Sequence, residues 1–353
     1  MRILFIKPKE IGDSLILTPT IQATKRLHPE AEIWVVVRRG CEGILAGCRE
    51  INRLLAISKV EKKERTVRDT WKDIQVLREL WRVHFDFVFE LSDGHRGRLF
   101  AILTRARHRY SVQLSGPLKW WERRRLTAES SFKWQERHRV EKDFYSVAEF
   151  LKLPEPIPRM VFAEERAEDW PKGGELGRFC LLQVGSRKMA NCWPKERWRE
   201  VAAYLLDQFD HVVVSCGPAP SEVADSVWLR QELGPRLVCT SGEASWAQMA
   251  GLLYRAKLYV GLNTAAMHLA TACQCPIVVL FGGTSEEHWF PWQGNYRIVA
   301  TENFAHITDQ VERHQRTRAR NMIDIQSRQV IEACREMTSG TTLGKQQAEP
   351  GQI

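Results

Sequence analysis

The nine cysteines of this chain show none of the spacings that hold metal ions. No C-x-x-C pair occurs, and the closest two, Cys273 and Cys275, lie in an apolar stretch. Because paired cysteine and histidine spacings do not recur, we expect no metal site. An odd number of cysteines without a disulfide framework is typical of reduced, mostly buried thiols in a cytosolic protein.

Long apolar runs are also missing. At the N-terminus only four apolar residues precede Lys7, which is too short for a signal segment or a membrane span. We expect a first β-strand there instead. Any membrane contact of the chain should therefore be peripheral.

Three common catalytic and nucleotide-binding motifs are absent from the sequence. No G-x-G-x-x-G follows a predicted strand, and neither G-x-x-x-x-G-K-[ST] nor G-x-S-x-G occurs. These absences argue against a dinucleotide oxidoreductase, a P-loop enzyme and an α/β-hydrolase.

What the chain does have is an excess of positive charge, with a formal net charge of +9 over 353 residues. Such an excess favours an anionic partner, and it does not choose among phosphate, nucleic acid and a membrane surface. The length allows two domains.

Strand and helix patterns alternate through the first half, which predicts a parallel sheet with helices on both faces. Pro19 should interrupt the first helical segment. The predicted strands are "RILFIK", "EIWVVVR", "INRLLAI" and "FDFVFEL", and the predicted helices are "SLILTPTIQATKRLHP", "CEGILAGC", "TVRDTWKDIQVLRELWRVH" and "RGRLFAILTRA". Regularity fails between Gly116 and Val140, and one further helix, "EKDFYSVAEFLKL", follows.

The alternation restarts after a proline-rich connector, which places a domain boundary between Pro154 and Gly177. The second half ends with the strand "KLYVGLN", the helix "AAMHLATACQ" and the strand "PIVVLFGGT". We predict domains at residues 1–165 and 175–310, a C-terminal helix region at 311–337, and a disordered tail at 338–353. The two halves show the same alternation of strands and helices, but no direct sequence repeat relates them.

Polar residues follow several predicted strands, where parallel α/β sheets bind their ligands. Asp13 follows the first strand, where it is a ligand candidate or, as is common for Asp, only an N-cap. Ser186, Arg187 and Lys188 follow the first strand of the second half; they suit a phosphate, or form a solvated basic loop. Glu222 could accept hydrogen bonds from ribose hydroxyls, or could interact only with a helix dipole.

The segment from Tyr259 to Thr284 contains a turn from strand to helix at Asn263, Thr264 and Ala265. Backbone N–H groups at such a helix start have no intrahelical acceptor, which makes an anion site. His268 lies one turn further along the helix. It would either contact a phosphate or sugar, or be a packed histidine.

Taken together, these residues resemble glycosyltransferase family 9, the lipopolysaccharide heptosyltransferases, from Met1 to about Trp292. The heptosyltransferase III branch is the most similar in its "SRKMANCW" and "LFGGTSEEHWFPW" segments. Six pieces in the same order carry the resemblance: "IGDSLILTP", "FDFVFELSDGHRGR", "HRVEKDFYSVAEFL", "GSRKMANCWPKERW", "CGPAPSE" and "GLNTAAMHLATACQCPIVVLFGGTSEEHWFPW".

The resemblance implies an α/β GT-B fold, in which two Rossmann-like domains face each other across the active-site cleft. It implies an inverting transfer of heptose from ADP-heptose to a lipopolysaccharide inner-core sugar, without a metal or other cofactor, at the cytoplasmic face of the inner membrane. Asp13 matches the general base. The donor-side residues are Ser186, Arg187, Lys188, Asn191, Glu222, Asn263, Thr264, Ala265 and His268.

On the acceptor side we expect Asp93 and Arg96, with Lys119, Arg123 and Arg124 from the irregular segment. The basic and aromatic residues of that segment suit a phosphorylated, membrane-anchored acceptor, although a solvated loop would have the same composition. The chain departs from the family at two donor positions: Asn263 stands where relatives commonly carry Asp, and Asn191 where some carry Lys.

Three other functions compete with this interpretation. The first is a family member with another nucleotide-sugar or glycan acceptor, and the second is a catalytically weak protein that only binds a nucleotide-sugar. Nucleic-acid binding is suggested by the basic charge alone, and no binding motif supports it.

Overall fold

The computed structural model describes residues 1–58, 66–114, 116, 118–171, 174–187, 192–301, 307 and 309–339. The predicted tail at 338–353 lies almost entirely outside these residues. Among the helices described, none combines the length and apolar character needed to cross a bilayer.

The first unit alternates strands and helices as the sequence predicts. Its first strand is buried on both faces except at its start, as expected where helices cover both sides of a sheet. In chain order its elements are β1 (Arg2–Lys7), α1 (Ile11–Ile16), α2 (Thr18–Leu27), β2 (Glu32–Arg38), α3 (Glu42–Leu45), β3 (Arg53–Ile57), α4 (Val67–Arg82), β4 (His84–Glu90), α5 (His95–Ile102), β5 (Arg105–Ser111), α6 (Trp120–Arg125), β6 (Ala128–Glu129) and α7 (Arg139–Leu151).

The second unit follows the connector and repeats the alternation. Its elements are β7 (Phe179–Gln183), α8 (Lys195–Gln208), β8 (His211–Ser215), α9 (Pro220–Leu233), β9 (Leu237–Cys239), α10 (Trp246–Arg255), β10 (Tyr259–Leu262), α11 (Ala265–Ala272), β11 (Ile277–Leu280), α12 (Glu286–Trp289), β12 (Tyr296–Val299), α13 (Gln310–Ala319) and α14 (Ser327–Thr338).

Both units contain a six-stranded parallel sheet with the same strand order. The first sheet runs β3-β2-β1-β4-β5-β6, and the second runs β9-β8-β7-β10-β11-β12. Each is the doubly wound order in which the first strand of the unit lies beside its fourth. The halves therefore share a topology even though their sequences show no direct repeat.

One hydrophobic core joins the two units. It contains Phe5 and Leu15 from the first unit together with Met249 and Met267 from the second. Separate cores lie on the outer faces of the two sheets. The carboxyl ends of β1 and β10, where α1 and α11 begin, thus meet across a cleft, as the GT-B fold requires.

The break at Pro19 is confirmed, because α1 ends at Ile16 and Pro19 lies in the first turn of α2. Six elements were not predicted: β5, α6, β6, α12, β12 and α13; the predicted helix "RGRLFAILTRA" ends at Ile102, and its last residues begin β5. β12 is a four-residue edge strand paired with β11, and α13 precedes the single last helix that the sequence suggested. α13 has little apolar surface; Asp309 caps its start, and Arg316 pairs with Glu312 one turn away.

The last helix, α14, packs on the second unit. Val330 and Cys334 are fully buried in the same core as Leu182 and Val214 of the second sheet. The C-terminal helix region is therefore attached to the second sheet.

Candidate active site

The helices α1 and α11 touch at the bottom of the cleft, and Gly12 is the contact. A Cβ built on Gly12 would lie 2.9 Å from Cδ2 of His268 and 3.5 Å from Cα of Ala265. Because glycine has no side chain, α1 can approach α11 this closely. This contact brings Asp13, the next residue along α1, to the start of α11.

The start of α11 has the properties of an anion site. Thr264 is its N-cap residue, and within the described part of the chain no side chain caps its first turn. Asn263, which follows the last residue of β10, donates its backbone N–H to Leu280 O at 3.3 Å. Asn263, Thr264 and Ala265 are all half-buried. The N–H groups of the first turn of a helix have no intrahelical acceptor and lie at the positive end of its dipole.

His268 is a neutral imidazole beneath this turn. It is 3% exposed, and its Nδ1 has no hydrogen-bond partner among the described residues. Burial, and secondarily the charge of Lys7, lower its pKa to about 4. A buried ring nitrogen without a partner is ready to bond a ligand.

A buried cluster of charges lies behind Asp13. The Lys7 ammonium forms an ion pair with Asp143 of α7, and both side chains are almost fully buried. Burial raises the pKa of Asp143, and the Lys7 charge acts in the opposite direction. The charge of Asp13 acts on Asp143 and on Arg139, so the candidate base belongs to this cluster.

Two cations of α7 stack on a tryptophan beside the same cluster. The Lys142 Nζ lies 3.7 Å from the centre of the Trp134 ring, and the Arg139 guanidinium lies 4.7 Å from it. Burial lowers the pKa of Lys142 to about 8, against the opposing charge of Asp143. Arg139 also lies 5.9 Å from the ring of Trp289, on the second unit.

His138 fixes the start of α7 to the second unit. Its Nδ1 accepts from the Val140 backbone N–H at 3.1 Å, so its Nε2 carries the proton and donates to Phe290 O at 2.9 Å. The ring stacks on Trp292 and packs at a tilt against Phe290. Burial lowers the pKa of His138 well below the usual range. The segments "HRVEKDF" and "EEHWFPW" are thus two sides of one contact.

The sequence analysis assigned no role to Lys7, Arg139, Lys142 or Asp143. The one sequence feature that could have indicated them is the presence of charged residues at the end of a strand and in a helix that the fold buries. A pattern of charges cannot say which of them the fold encloses.

Glu222 lies at the carboxyl ends of β7 and β8, held by two glycines. It accepts from the Gly217 backbone N–H at 2.8 Å, and a Cβ built on Gly185 would lie 1.8 Å from its Oε2. Only glycine at position 185 leaves room for this carboxylate. Glu222 is half-buried and so open to a ligand on one side.

Arg187 bridges the two units. Its guanidinium pairs with Glu10 of the first unit, and Glu10 also pairs with Arg38 at 2.8 Å. Burial raises the pKa of Glu10, and the two arginines outweigh it, so the net shift is downward. Ser186, beside Arg187, is nearly buried; the predicted donor residues Lys188 and Asn191 lie outside the described residues.

The predicted acceptor residues fall into two groups. Asp93, in a left-handed conformation with φ of 54°, interacts electrostatically with Lys142 and so joins the charged cluster. Arg96 instead pairs with Asp73 of α4 and donates to Ser58 Oγ at 2.8 Å. Its guanidinium is thereby engaged on the α4 side of the sheet.

The basic residues of α6 form an exposed row at the carboxyl edge of the first sheet. Lys119, Arg123 and Arg124 are exposed, and Arg124 lies 5.5 Å from the ring of Trp120. Beneath them Glu122 is buried and accepts from Arg98 at 3.2 Å. The helix is thus anchored by its one acidic residue, which leaves its cations outward.

No group of three or more histidine, cysteine or acidic side chains in the described ranges is arranged to hold a metal ion. What the site does offer is a carboxylate among cations, an uncapped helix start, and a second carboxylate at a strand end. Such a set suits proton abstraction beside a bound phosphate or diphosphate.

Known proteins resemble this chain in sequence and in fold. The profile of glycosyltransferase family 9 (heptosyltransferase) matches residues 74–319. Lipopolysaccharide heptosyltransferase 3 of Escherichia coli (strain K12) is 27% identical over 315 residues, which cover 83% of this chain and 88% of that protein.

Two solved structures share the fold. The E. coli heptosyltransferase WaaC with ADP superposes with a TM-score of 0.77 at 16% identity, over 96% of this chain and 100% of that one. A glycosyltransferase family 9 protein from Veillonella parvula gives 0.76 at 17% identity, over 95% and 96%. At these identities the likeness supports the two-domain fold alone.

Proposed function

The chain belongs to glycosyltransferase family 9, the heptosyltransferase family, and from this premise we propose that it transfers heptose from ADP-heptose to an inner-core sugar of lipopolysaccharide. The acceptor class comes from relatives named as lipopolysaccharide heptosyltransferases 3 and 1. The observation that carries the proposal is the contact of Gly12 with His268, which sets Asp13 beside the start of α11. Transfer needs a base and a diphosphate site that are held close together.

In the proposed reaction, Asp13 accepts the proton of the acceptor hydroxyl while that oxygen attacks the anomeric carbon of the donor. The bond from this carbon to the diphosphate oxygen breaks on the opposite side, and ADP leaves. A single displacement with one base inverts the configuration at that carbon.

The charge that develops on the departing diphosphate is offset by the protein in this proposal, without a metal or other cofactor. The uncapped start of α11 supplies backbone donors and a positive dipole. Arg187 supplies a guanidinium, provided that it leaves Glu10. His268, being neutral, supplies a hydrogen bond and no charge.

Residues near the strand ends are proposed to contact the rest of the donor and the acceptor. Glu222, between Gly185 and Gly217, would accept from the ribose hydroxyls of the nucleotide. Lys119, Arg123 and Arg124 of α6 would hold the phosphorylated acceptor at the cytoplasmic face of the inner membrane. The proposed partners are therefore a nucleotide-sugar, a lipopolysaccharide core and, peripherally, a membrane, and no nucleic acid.

Titration calorimetry with ADP, UDP and GDP tests this proposal, because nucleotide preference identifies the donor class. We expect ADP to bind more tightly than the other two. A preference for UDP or GDP would assign another nucleotide-sugar, and indifference to all three would contradict a transferase of this kind. Binding of ADP without any transfer would leave a nucleotide-sugar-binding protein, in line with Asn263 and Asn191 at positions where relatives carry Asp or Lys.

A further inference from the structure

The helix α4 carries an apolar stripe that faces solvent. Val67, Trp71, Ile74 and Trp81 follow one another at helical spacing and so share one face. Their exposed fractions are 89%, 52%, 40% and 57%. A stripe with this spacing ordinarily faces the core, and here it does not.

A different face of α4 holds the helix to the first sheet. Leu80 is buried in the outer core with Phe85 and Phe100, and Val76 and Leu77 pack against them. Asp73 is also buried; it accepts from the Ser58 backbone N–H at 2.8 Å and pairs with Arg96. The apolar stripe is therefore not required to attach α4 to the protein.

The charged residues of α4 are arranged so that the cations of this helix stay at the surface. Of the acidic residues of α4, Asp69 pairs with Arg39 at 2.7 Å, Glu79 pairs with Arg53 at 2.7 Å, and Asp73 is buried. The exposed cations of the helix are Arg68, Lys72, Arg78 and Arg82.

Two arginines lie over the exposed tryptophans. Arg78 is 6.0 Å from the ring of Trp71, and Arg105 is 5.1 Å from the ring of Trp81. Leu103, two residues before Arg105, is a further exposed apolar residue, at 45%.

We propose that this surface, which we call the α4 face (Val67, Trp71, Ile74, Arg78 and Trp81), docks on a lipid bilayer that contains anionic lipids. Tryptophan rings are amphipathic and settle at the headgroup level, and arginines beside them pair with lipid phosphates. A helix with an apolar stripe and a basic polar border is suited to lie in the plane of an interface.

The surroundings of the α4 face favour a bilayer over a second copy of the chain. A two-fold contact through this face would bring together two copies of a surface rich in cations, while the exposed-side carboxylates of α4, Asp69 and Glu79, already pair with Arg39 and Arg53. The core beneath α4 is also separate from the core that joins the two units. Docking there leaves the cleft between the sheets uncovered.

Co-sedimentation of the full-length protein with vesicles tests the inference. Wild-type protein should bind vesicles of phosphatidylethanolamine with about a quarter phosphatidylglycerol, and should bind phosphatidylcholine vesicles much less. The double variant Trp71→Ser/Trp81→Ser should lose about tenfold in partition coefficient, because two half-exposed rings no longer enter the interface. Val227→Ser, an exposed apolar position on α9 of the other unit, is the matched control and should bind as wild type.

A second variant, Arg78→Glu/Arg82→Glu, keeps the apolar stripe and reverses the charge, and it should lose binding to the anionic vesicles with its unfolding temperature unchanged. Wild-type binding by either double variant would overturn the inference, as would equal binding of wild type to neutral vesicles or none to anionic ones. So would concentration-dependent dimerisation that the Trp71→Ser/Trp81→Ser change abolishes. Neither donor nor acceptor is used, so the result does not depend on the proposed reaction.

Discussion

At the scale of single residues, Gly12 sets the distance between the helices that carry the site. Gly12→Ala would place a methyl group 2.9 Å from the buried His268 ring, closer than carbon atoms pack. We expect about 1–3 kcal/mol of lost stability from overpacking and a loss of transfer as α1 moves away from α11. Urea unfolding and a transfer assay measure both.

Gly116→Ala is the matched control for this change, because a Cβ there meets no atom within 4 Å. It should leave stability and transfer close to wild type. If Gly12→Ala behaves like Gly116→Ala, the two helices do not depend on this contact.

His268 gives the molecule a defined response to acid. Burial lowers its pKa to about 4 from 6.5, so the unfolded chain binds a proton more readily than the folded one between these values. The stabilisation is complete above pH 6.5 and is lost as the pH falls towards 4, amounting to about 3 kcal/mol for this one group. Urea unfolding between pH 7.5 and pH 4.5 measures the slope.

The control for this response is His268→Gln, which removes the titrating ring. It should lower the dependence of the unfolding free energy on pH below 6.5. His138 and His288 also have lowered pKa values, so part of the slope should remain. An unchanged slope would show that His268 does not carry this response.

Residues at strand ends are the ligand candidates that the sequence alone can name. Asp13 and Glu222 were predicted from sequence alone as ligand candidates, because parallel strands end at one edge of a sheet. Lys7, Lys142 and Asp143 were not, since their role depends on burial at a contact between two units. Arg96 was predicted to bind the acceptor. In the structure it pairs with Asp73 of α4, which lies 23 residues earlier in the sequence.

At the scale of elements, α6 is the helix that the proposal assigns to the acceptor. Arg123→Gln/Arg124→Gln should raise the KM for the phosphorylated acceptor several-fold at low salt, because two exposed cations are removed. The dissociation constant for ADP should stay unchanged, since the donor lies on the other unit. Steady-state kinetics at two salt concentrations, with calorimetry for ADP, separates the two effects.

The matched control for α6 is Arg328→Gln, which removes an exposed cation from α14. It should leave both constants unchanged. An acceptor KM insensitive to the α6 change would assign the acceptor to another surface.

Elements with strong periodic patterns were predicted, and weak ones were not. The break between α1 and α2 followed from Pro19, whose ring cannot continue the first helix. The edge strand β12 is only four residues long, too short for a reliable alternation. α13 depends on a cap and charge pairs rather than on an apolar face.

At the scale of the whole molecule, the repeated strand order is the main architectural fact. Both halves follow the same doubly wound order, and the alternation of elements predicted two such halves. Their face-to-face arrangement followed only from the resemblance to a family, because periodicity within a domain says nothing about how two domains meet. The interface itself depends on particular pairs, such as His138 with Phe290 and Glu10 with Arg187.

The proposed reaction depends on Asp13 as the base and on a donor bound to the opposite unit. The decisive experiment measures transfer from ADP-heptose by Asp13→Asn together with the affinity of this variant for ADP. We expect the transfer rate to fall by about 10²–10⁴-fold, with ADP binding within about twofold of wild type. Asp225→Asn, an exposed carboxylate on α9, should retain both; a wild-type transfer rate in Asp13→Asn would contradict the account.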